Sequence, residues 1–317
     1  TSGRTLLFSQ AASVSDFYET QLQQHGVAVE RLREAGRFGR ILEVRAWLRR
    51  VRPDILQAYL SGASAIAVLS GLGGRHWKVV VSERIDLDYR GKGSLRIRVI
   101  TQLYRGADWI VANAHSIRDA LVENQPAHGR KSSVIWNCVD LDRFRPREIS
   151  KNSAPFRFIC VASMGSRKNS LKLAEAMALL KKSCNKPFEL RWVGRYNDRI
   201  PDQRYNMAET QALIKRFGLG GQFIFSGEIE NVEFEYRQAD ALVLVSTREG
   251  LPNAVCEGMA SGLPIVAGAV ADIPRIVREG ENGFLCDPWN AADIALALEK
   301  CLTLSSDELV RFGTASR

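Results

Sequence analysis

Apolar positions in the second half of the chain alternate between two rhythms. Short apolar runs occupy residues 156–162, 223–225, 241–245 and 264–267, and residues 188–193 alternate apolar with charged positions. Between them, residues 170–182, 209–217, 232–238 and 254–261 repeat apolar positions at helical spacing. Segments this short, bounded by turn residues, read as strands, with 241–245 buried on both faces. Alternated with helices, they predict a parallel sheet covered on both sides. The first half shows the same alternation less cleanly. Strands are predicted at 27–29, 54–58, 79–82, 109–112 and 134–136, and helices at 17–25, 38–51, 63–72 and 95–105. Residues 145–155 break the pattern: the stretch is polar and carries Pro146 and Pro155, as an interdomain linker would. The chain therefore reads as α/β with two Rossmann-like domains, at 1–145 and 157–317, joined by a linker at 146–156.

Composition narrows this reading. No apolar run approaches the roughly 20 residues that cross a bilayer, and no signal peptide is visible. The six cysteines and four histidines are dispersed, without C-x-x-C or H-E-x-x-H spacing. That pattern points to reduced thiols in a cytoplasmic protein and to no protein metal site. The net charge of +9 is uneven: residues 1–150 hold 23 Lys and Arg against 15 Asp and Glu, and residues 151–317 hold 21 against 20. A basic first half fits an anionic partner, although a solvated basic surface gives the same count. Eight arginines fall between Arg31 and Arg52, with Phe38, Ile41, Leu42, Leu48 and Val51 at helical spacing. This is a basic amphipathic helix. It suits either packing on the sheet with solvated arginines or attachment to an anionic membrane surface. Nucleic-acid recognition lacks a reading module or basic–aromatic interleaving. A nicotinamide site would need its glycine fingerprint after a strand, and Gly71-Leu72-Gly73-Gly74 follows a predicted helix.

The chemistry concentrates at Glu249-Gly250-Leu251-Pro252-Asn253-Ala254, which follows a buried strand and opens a helix. A helix N-terminus offers unpaired N–H groups and a positive dipole end to a diphosphate. Asn253 is a good N-cap type. Glu257 lies eight residues after Glu249, so the two are up to about 12 Å apart along a helix. That is the reach from a hexose across a pyrophosphate to a ribose. Taken alone, a spaced glutamate pair is more often a turn residue and a surface residue.

This segment resembles the E-x7-E signature of glycosyltransferase family 4. The likeness extends over nearly the whole chain, through residues 134–146, residues 158–169 with Lys168-Asn169, Phe225-Ser226-Gly227, Ala239-Asp240 and Asn282-Gly283-Phe284-Leu285. The resemblance implies a GT-B fold, two Rossmann-like domains with parallel sheets facing across a cleft. It implies metal-independent, retaining transfer of a hexose or N-acetylhexosamine from a UDP-sugar or GDP-mannose. The acceptor would be a glycan or polyprenyl-linked, within surface polysaccharide or lipopolysaccharide assembly. Glu249 would contact the donor sugar and Glu257 the ribose. Gly250, Leu251, Asn253 and Ala254 would hold the diphosphate, Lys168 would neutralise the leaving group, and Ile229 would lie near the base. The enzyme would be cytoplasmic or peripheral on the cytoplasmic face of the membrane.

Departures from the family pattern qualify these expectations. Ser163 stands where the phosphate loop usually carries arginine; Arg167 could replace the charge, or the chain could be an inert sugar-nucleotide binder. Glu83 and Arg84 stand near a usual histidine and are acceptor-side candidates, or with Asp86 a local ion-pair cluster. The family's N-terminal strand and glycine-rich loop are not found, nor is its C-terminal helical segment. By this resemblance the chain is a piece that begins inside the first Rossmann unit.

Overall fold

The structure, a computed structural model, describes residues 4–7, 17–32, 36–84, 95–147 and 155–317. It divides into two compact units, Thr1–Ile135 and Trp136–Arg317.

The first unit contains strands β1 (Arg4–Leu7), β2 (Ala28–Arg31), β3 (Ile55–Tyr59), β4 (Lys78–Glu83), β5 (Trp109–Ala112) and β6 (Ser132–Val134). Its helices are α1 (Phe17–Gln24), α2 (Arg37–Val51), α3 (Ser61–Ser70), α4 (Leu95–Leu103) and α5 (His115–Asn124). A four-stranded sheet runs β3-β4-β5-β6, and β1 pairs with β2; every pairing is parallel. Small residues let α3 approach its neighbours closely: Ser70 Oγ lies 3.3 Å from the Ile41 carbonyl of α2. Val79, Val81 and Ile110 are fully buried at the sheet's centre.

The second unit has the larger core. Its strands are β7 (Phe156–Val161), β8 (Phe188–Val193), β9 (Phe223–Gly227), β10 (Ala241–Leu244), β11 (Ile265–Gly268) and β12 (Gly283–Cys286). Its helices are α6 (Ser170–Ser183), α7 (Pro201–Arg216), α8 (Val232–Gln238), α9 (Asn253–Ala260), α10 (Ile273–Ile276), α11 (Ala291–Leu302) and α12 (Ser306–Ser316). The sheet is parallel, in the order β9-β8-β7-β10-β11-β12. Every residue of β10 and β11 is buried, which explains their unbroken apolar sequence.

Several elements depart from the sequence reading. A strand does stand at the amino end: β1 pairs Arg4 to Leu7 with Ala28 to Arg31. Four residues opening on an arginine are too few to show a period. The glycine-rich loop sought after it would fall at residues outside those described. Helix α7 begins at Pro201, eight residues before its apolar pattern does, with proline in the first turn where its missing N–H is not needed. Packing groups the segment before the linker with the second unit. Residues 136–145, read as part of the first domain, belong to the second unit. There Phe144 is 6% exposed and meets the ring of Tyr236 edge-on at 5.6 Å. Arg143 donates from Nε and Nη2 to Glu233 at 3.0 and 2.9 Å. Of the expected linker, residues 148–154 lie outside those described.

Candidate active site

In the second unit's sheet the chain winds outward from β7 to β9, then returns to lay β10 on the other side of β7. The strand order therefore reverses between β7 and β10. In an open parallel sheet, the loops leaving two such strands diverge and leave a crevice at their carboxyl ends. Here those loops are residues 162–169 and 245–252.

Hydrogen bonds fix the two loops against each other. Thr247 N donates to the Arg167 carbonyl at 2.9 Å. Buried Asn169, in the left-handed conformation at φ 64°, spends both amide hydrogens on carbonyls of Val245 (3.0 Å) and Pro288 (2.7 Å). Asparagine tolerates this backbone region better than most residues. Nothing bulkier than glycine fits at Gly194, where a Cβ would lie 2.0 Å from the Ala162 carbonyl. The Trp192 indole donates to that same carbonyl at 2.8 Å.

This frame brings Lys168 and Glu249 together. They come from opposite sides of the strand-order reversal and form an ion pair between Nζ and Oε1, their side chains 13% and 8% exposed. Glu249 then leads through Gly250 and buried Leu251 into α9. The helix is capped by the backbone of Pro252, not by Asn253, which is its first residue; no side chain caps it. The Asn253 side-chain oxygen Oδ1 instead accepts from Asn137 Nδ2 at 2.6 Å. Its side chain is thus turned to a neighbour and occupies none of the first-turn N–H groups.

Glu257 is half-buried one turn further along α9. Tyr236 of α8 donates its hydroxyl to Glu257 Oε2 at 2.9 Å. Burial raises the Glu257 carboxyl above the ordinary glutamate value; the tyrosine bond and the charge of Arg143 pull it part of the way back. The neighbouring thiols are neutral: burial pushes Cys256 up to about 11 and Cys160 to about 12. Ser163 is half-buried on the loop after β7, Arg167 is exposed beside Lys168, and Ile229 packs half-buried against the core after β9.

The first unit holds the other two candidates at the carboxyl end of β4. Glu83 is fully buried and accepts at Oε1 from the Tyr104 hydroxyl. Arg84 is exposed, its guanidinium 5.9 Å from the Tyr59 ring centre. Asp86 lies outside the described residues. The structure thus pairs Lys168 with Glu249 and backs Glu257 with Tyr236. Sequence reasoning missed Tyr236, Asn137 and Arg143 as members of this region. Tyr236 lies four residues after Val232, so spacing alone marks it as core. Among the described residues no cluster of His, Cys, Asp and Glu is suited to a metal ion, and no helix is long and apolar enough to cross a membrane.

Comparison with known proteins agrees with the fold. The model described as Glycosyltransferase Family 4 matches residues 7–143, and that described as Glycosyl transferases group 1 matches residues 155–304. The chain belongs to the family 4-like glycosyltransferases. The EpsD glycosyltransferase of Bacillus subtilis is 30% identical over 54% of this chain and 45% of its own length. The lipopolysaccharide core biosynthesis glycosyltransferase LpsE of Rhizobium meliloti is 26% identical over 87% of this chain and 72% of its own. The chain spans about half the length of several of the curated relatives it matches. Among solved structures, Anabaena HepE in complex with UDP superposes with a TM-score of 0.83 at 20% identity, covering 99% of this chain and 85% of that one. This family 4-like chain therefore has the GT-B fold of two parallel-sheet α/β domains.

Proposed function

We propose that this chain is a glycosyltransferase that moves a hexose or N-acetylhexosamine from a nucleoside diphosphate to an acceptor hydroxyl, with retention and without a metal ion. The Lys168–Glu249 pair, set beside the side-chain-free N-terminus of α9 at the strand-order reversal, carries the reading. A cation stands where a diphosphate leaves, and a carboxylate stands where a sugar's hydroxyls need an acceptor. The N–H groups around Gly250, Leu251, Asn253 and Ala254 hold the diphosphate. Glu257 accepts from the ribose, Ile229 borders the base, and Arg167 beside Ser163 adds positive charge. As the bond from the anomeric carbon to the phosphate oxygen breaks, the sugar becomes oxocarbenium-like. Lys168 stabilises the charge gathering on the departing diphosphate. The acceptor oxygen attacks from the same face and gives its proton to the departing phosphate oxygen.

UDP-sugars are the preferred donors, with GDP-mannose second. Neighbouring structures of HepE hold UDP and UDP-glucose, which supports that order. The acceptor reading is a glycan or polyprenyl-linked sugar, for which exposed Arg84 is the first-unit candidate; fully buried Glu83, bonded by Tyr104, is not placed to touch it. LpsE, with its role in lipopolysaccharide core biosynthesis, supports surface-glycan assembly. The chain works in the cytoplasm, peripherally attached to an anionic membrane. Ser163, where the family carries arginine, favours one other reading: a sugar-nucleotide binder without turnover.

Metal-free calorimetry with UDP, GDP and ADP, on the unaltered chain and on Glu257→Ala, tests the binding site. Binding of one nucleotide, lost in the variant, is the expected result. A folded protein that binds none of the three sinks the proposal. Donor hydrolysis in EDTA, lost in Lys168→Ala, separates the enzyme from the inert binder.

A further inference from the structure

We infer that Tyr236 is a positioning residue of the donor site, its hydroxyl holding the Glu257 carboxylate ready for the ribose diol. The inference rests on the reading of Glu257 as the ribose acceptor. The tyrosine ring is 0% exposed, wedged on α8 against Phe144. Its hydroxyl reaches out of that packing to Glu257 Oε2 at 2.9 Å and lies 3.3 Å from the Ala254 carbonyl in the first turn of α9. A phenol carries one hydrogen, and the carboxylate is the nearer and more charged acceptor.

Three physical consequences follow from that bond. It fixes the carboxylate's rotation, because a buried ring cannot swing. It occupies Oε2, while Oε1 accepts from no hydrogen bond among those described. A carboxylate oxygen without a partner is what two adjacent ribose hydroxyls require. It also lowers the carboxyl's pKa against the raising effect of burial. Among the described residues, the titratable groups that act on Glu257 are Tyr236 on α8 and Arg143 before the linker, with Cys256 beside it on α9. Cys160 on β7 and Glu233 on α8 stand behind Tyr236 and Arg143. The thiols and the phenol are held neutral by burial, and Arg143 is shared with Glu233. The tyrosine's hydrogen is therefore the direct support of the carboxylate.

A purely structural Tyr236 would move stability alone, so the test reads ribose recognition. Tyr236→Phe keeps the ring and removes the hydroxyl. UDP or GDP, whichever binds in the panel above, is compared with its 2′,3′-dideoxy counterpart on each protein across pH 5 to 9. The unaltered chain should prefer the ribonucleotide about tenfold or more, the range of a hydrogen bond to a charged group. In Tyr236→Phe that preference should fall at least threefold, with dideoxynucleotide binding unchanged. The acid limb of ribonucleotide binding should also move to higher pH. Because the preference is a ratio within one protein, a partly unfolded sample does not alter it. A preference and acid limb unchanged in Tyr236→Phe overturn the inference alone. Equal binding of both nucleotides by the unaltered chain removes the ribose reading of Glu257, and this inference with it.

Discussion

At the scale of single residues, Glu257 sets stability against binding. Its folded carboxyl titrates above the ordinary glutamate value near 4.5 because burial disfavours the charge. Between those two values the folded state holds more protons than the unfolded state, so stability falls as pH rises through the window. Glu257→Gln should therefore melt at a higher temperature than the unaltered chain at pH 7, with the gain gone below about pH 4.5. It should also lose roughly tenfold or more in nucleotide affinity, the scale of a charged hydrogen bond. Calorimetric melts at both pH values, with a titration at pH 7, read the two effects; equal melting at pH 7 would contradict the burial argument. Lys168 behaves differently, because its charge is compensated by Glu249. Lys168→Ala leaves a nearly buried carboxylate without its partner, which lowers the melt. In a turnover assay it should also reduce kcat by about 10²-fold or more, as loss of one group aimed at developing charge does.

At the scale of elements, α9 is held by its contact with the central strand. Gly258 faces β10 so closely that an added Cβ would sit 2.8 Å from Leu242 Cδ2 and 3.1 Å from its Cβ. Gly258→Ala should push the helix off the sheet, costing about 1–3 kcal/mol as overpacking does. It should also weaken nucleotide binding, because the same helix carries Asn253, Ala254 and Glu257; a denaturant titration beside a binding titration checks both. This close contact also shows what sequence could and could not reveal. The unbroken apolar runs of β10 and β11 announce a buried parallel sheet, and Gly250-Leu251-Pro252 marks where the chain turns into α9. Both are local signals. The strand order that brings Lys168 to Glu249 is long-range and leaves no local trace; the family motif supplied what periodicity could not. Asn253 shows the limit of a residue-type rule, since Pro252 takes the cap position and the asparagine bonds Asn137. Tyr236 shows another, because one ring can fill the core and still serve the site with its hydroxyl.

At the scale of the molecule, the uneven charge acquires a location. The basic excess of the first half falls partly on α2, where Val44 and Leu48 are buried but Phe38 is 74% and Leu42 53% exposed. The expected apolar stripe is thus split, one edge packed inward and one left to solvent. Leu72, also exposed, adjoins this edge, because Arg45 donates to its carbonyl. Arg49 and Arg52 are exposed on the same helix and at its C-cap. Exposed apolar side chains on a helix that also carries exposed arginines match an interface of acyl chains beneath anionic headgroups. Each such arginine contributes about 1 kcal/mol near an anionic leaflet. Arg49→Glu with Arg52→Glu should therefore weaken binding to phosphatidylglycerol vesicles at low salt by at least tenfold. Neutral phosphatidylcholine vesicles should bind neither protein, and added salt should erode binding of the unaltered chain, since surface charges are screened beyond about 10 Å at 0.1 M. Nucleotide binding by the second unit should be unchanged in the double variant. Vesicle sedimentation decides the matter: equal binding by both proteins would place the basic excess in solvent, where it serves solubility alone.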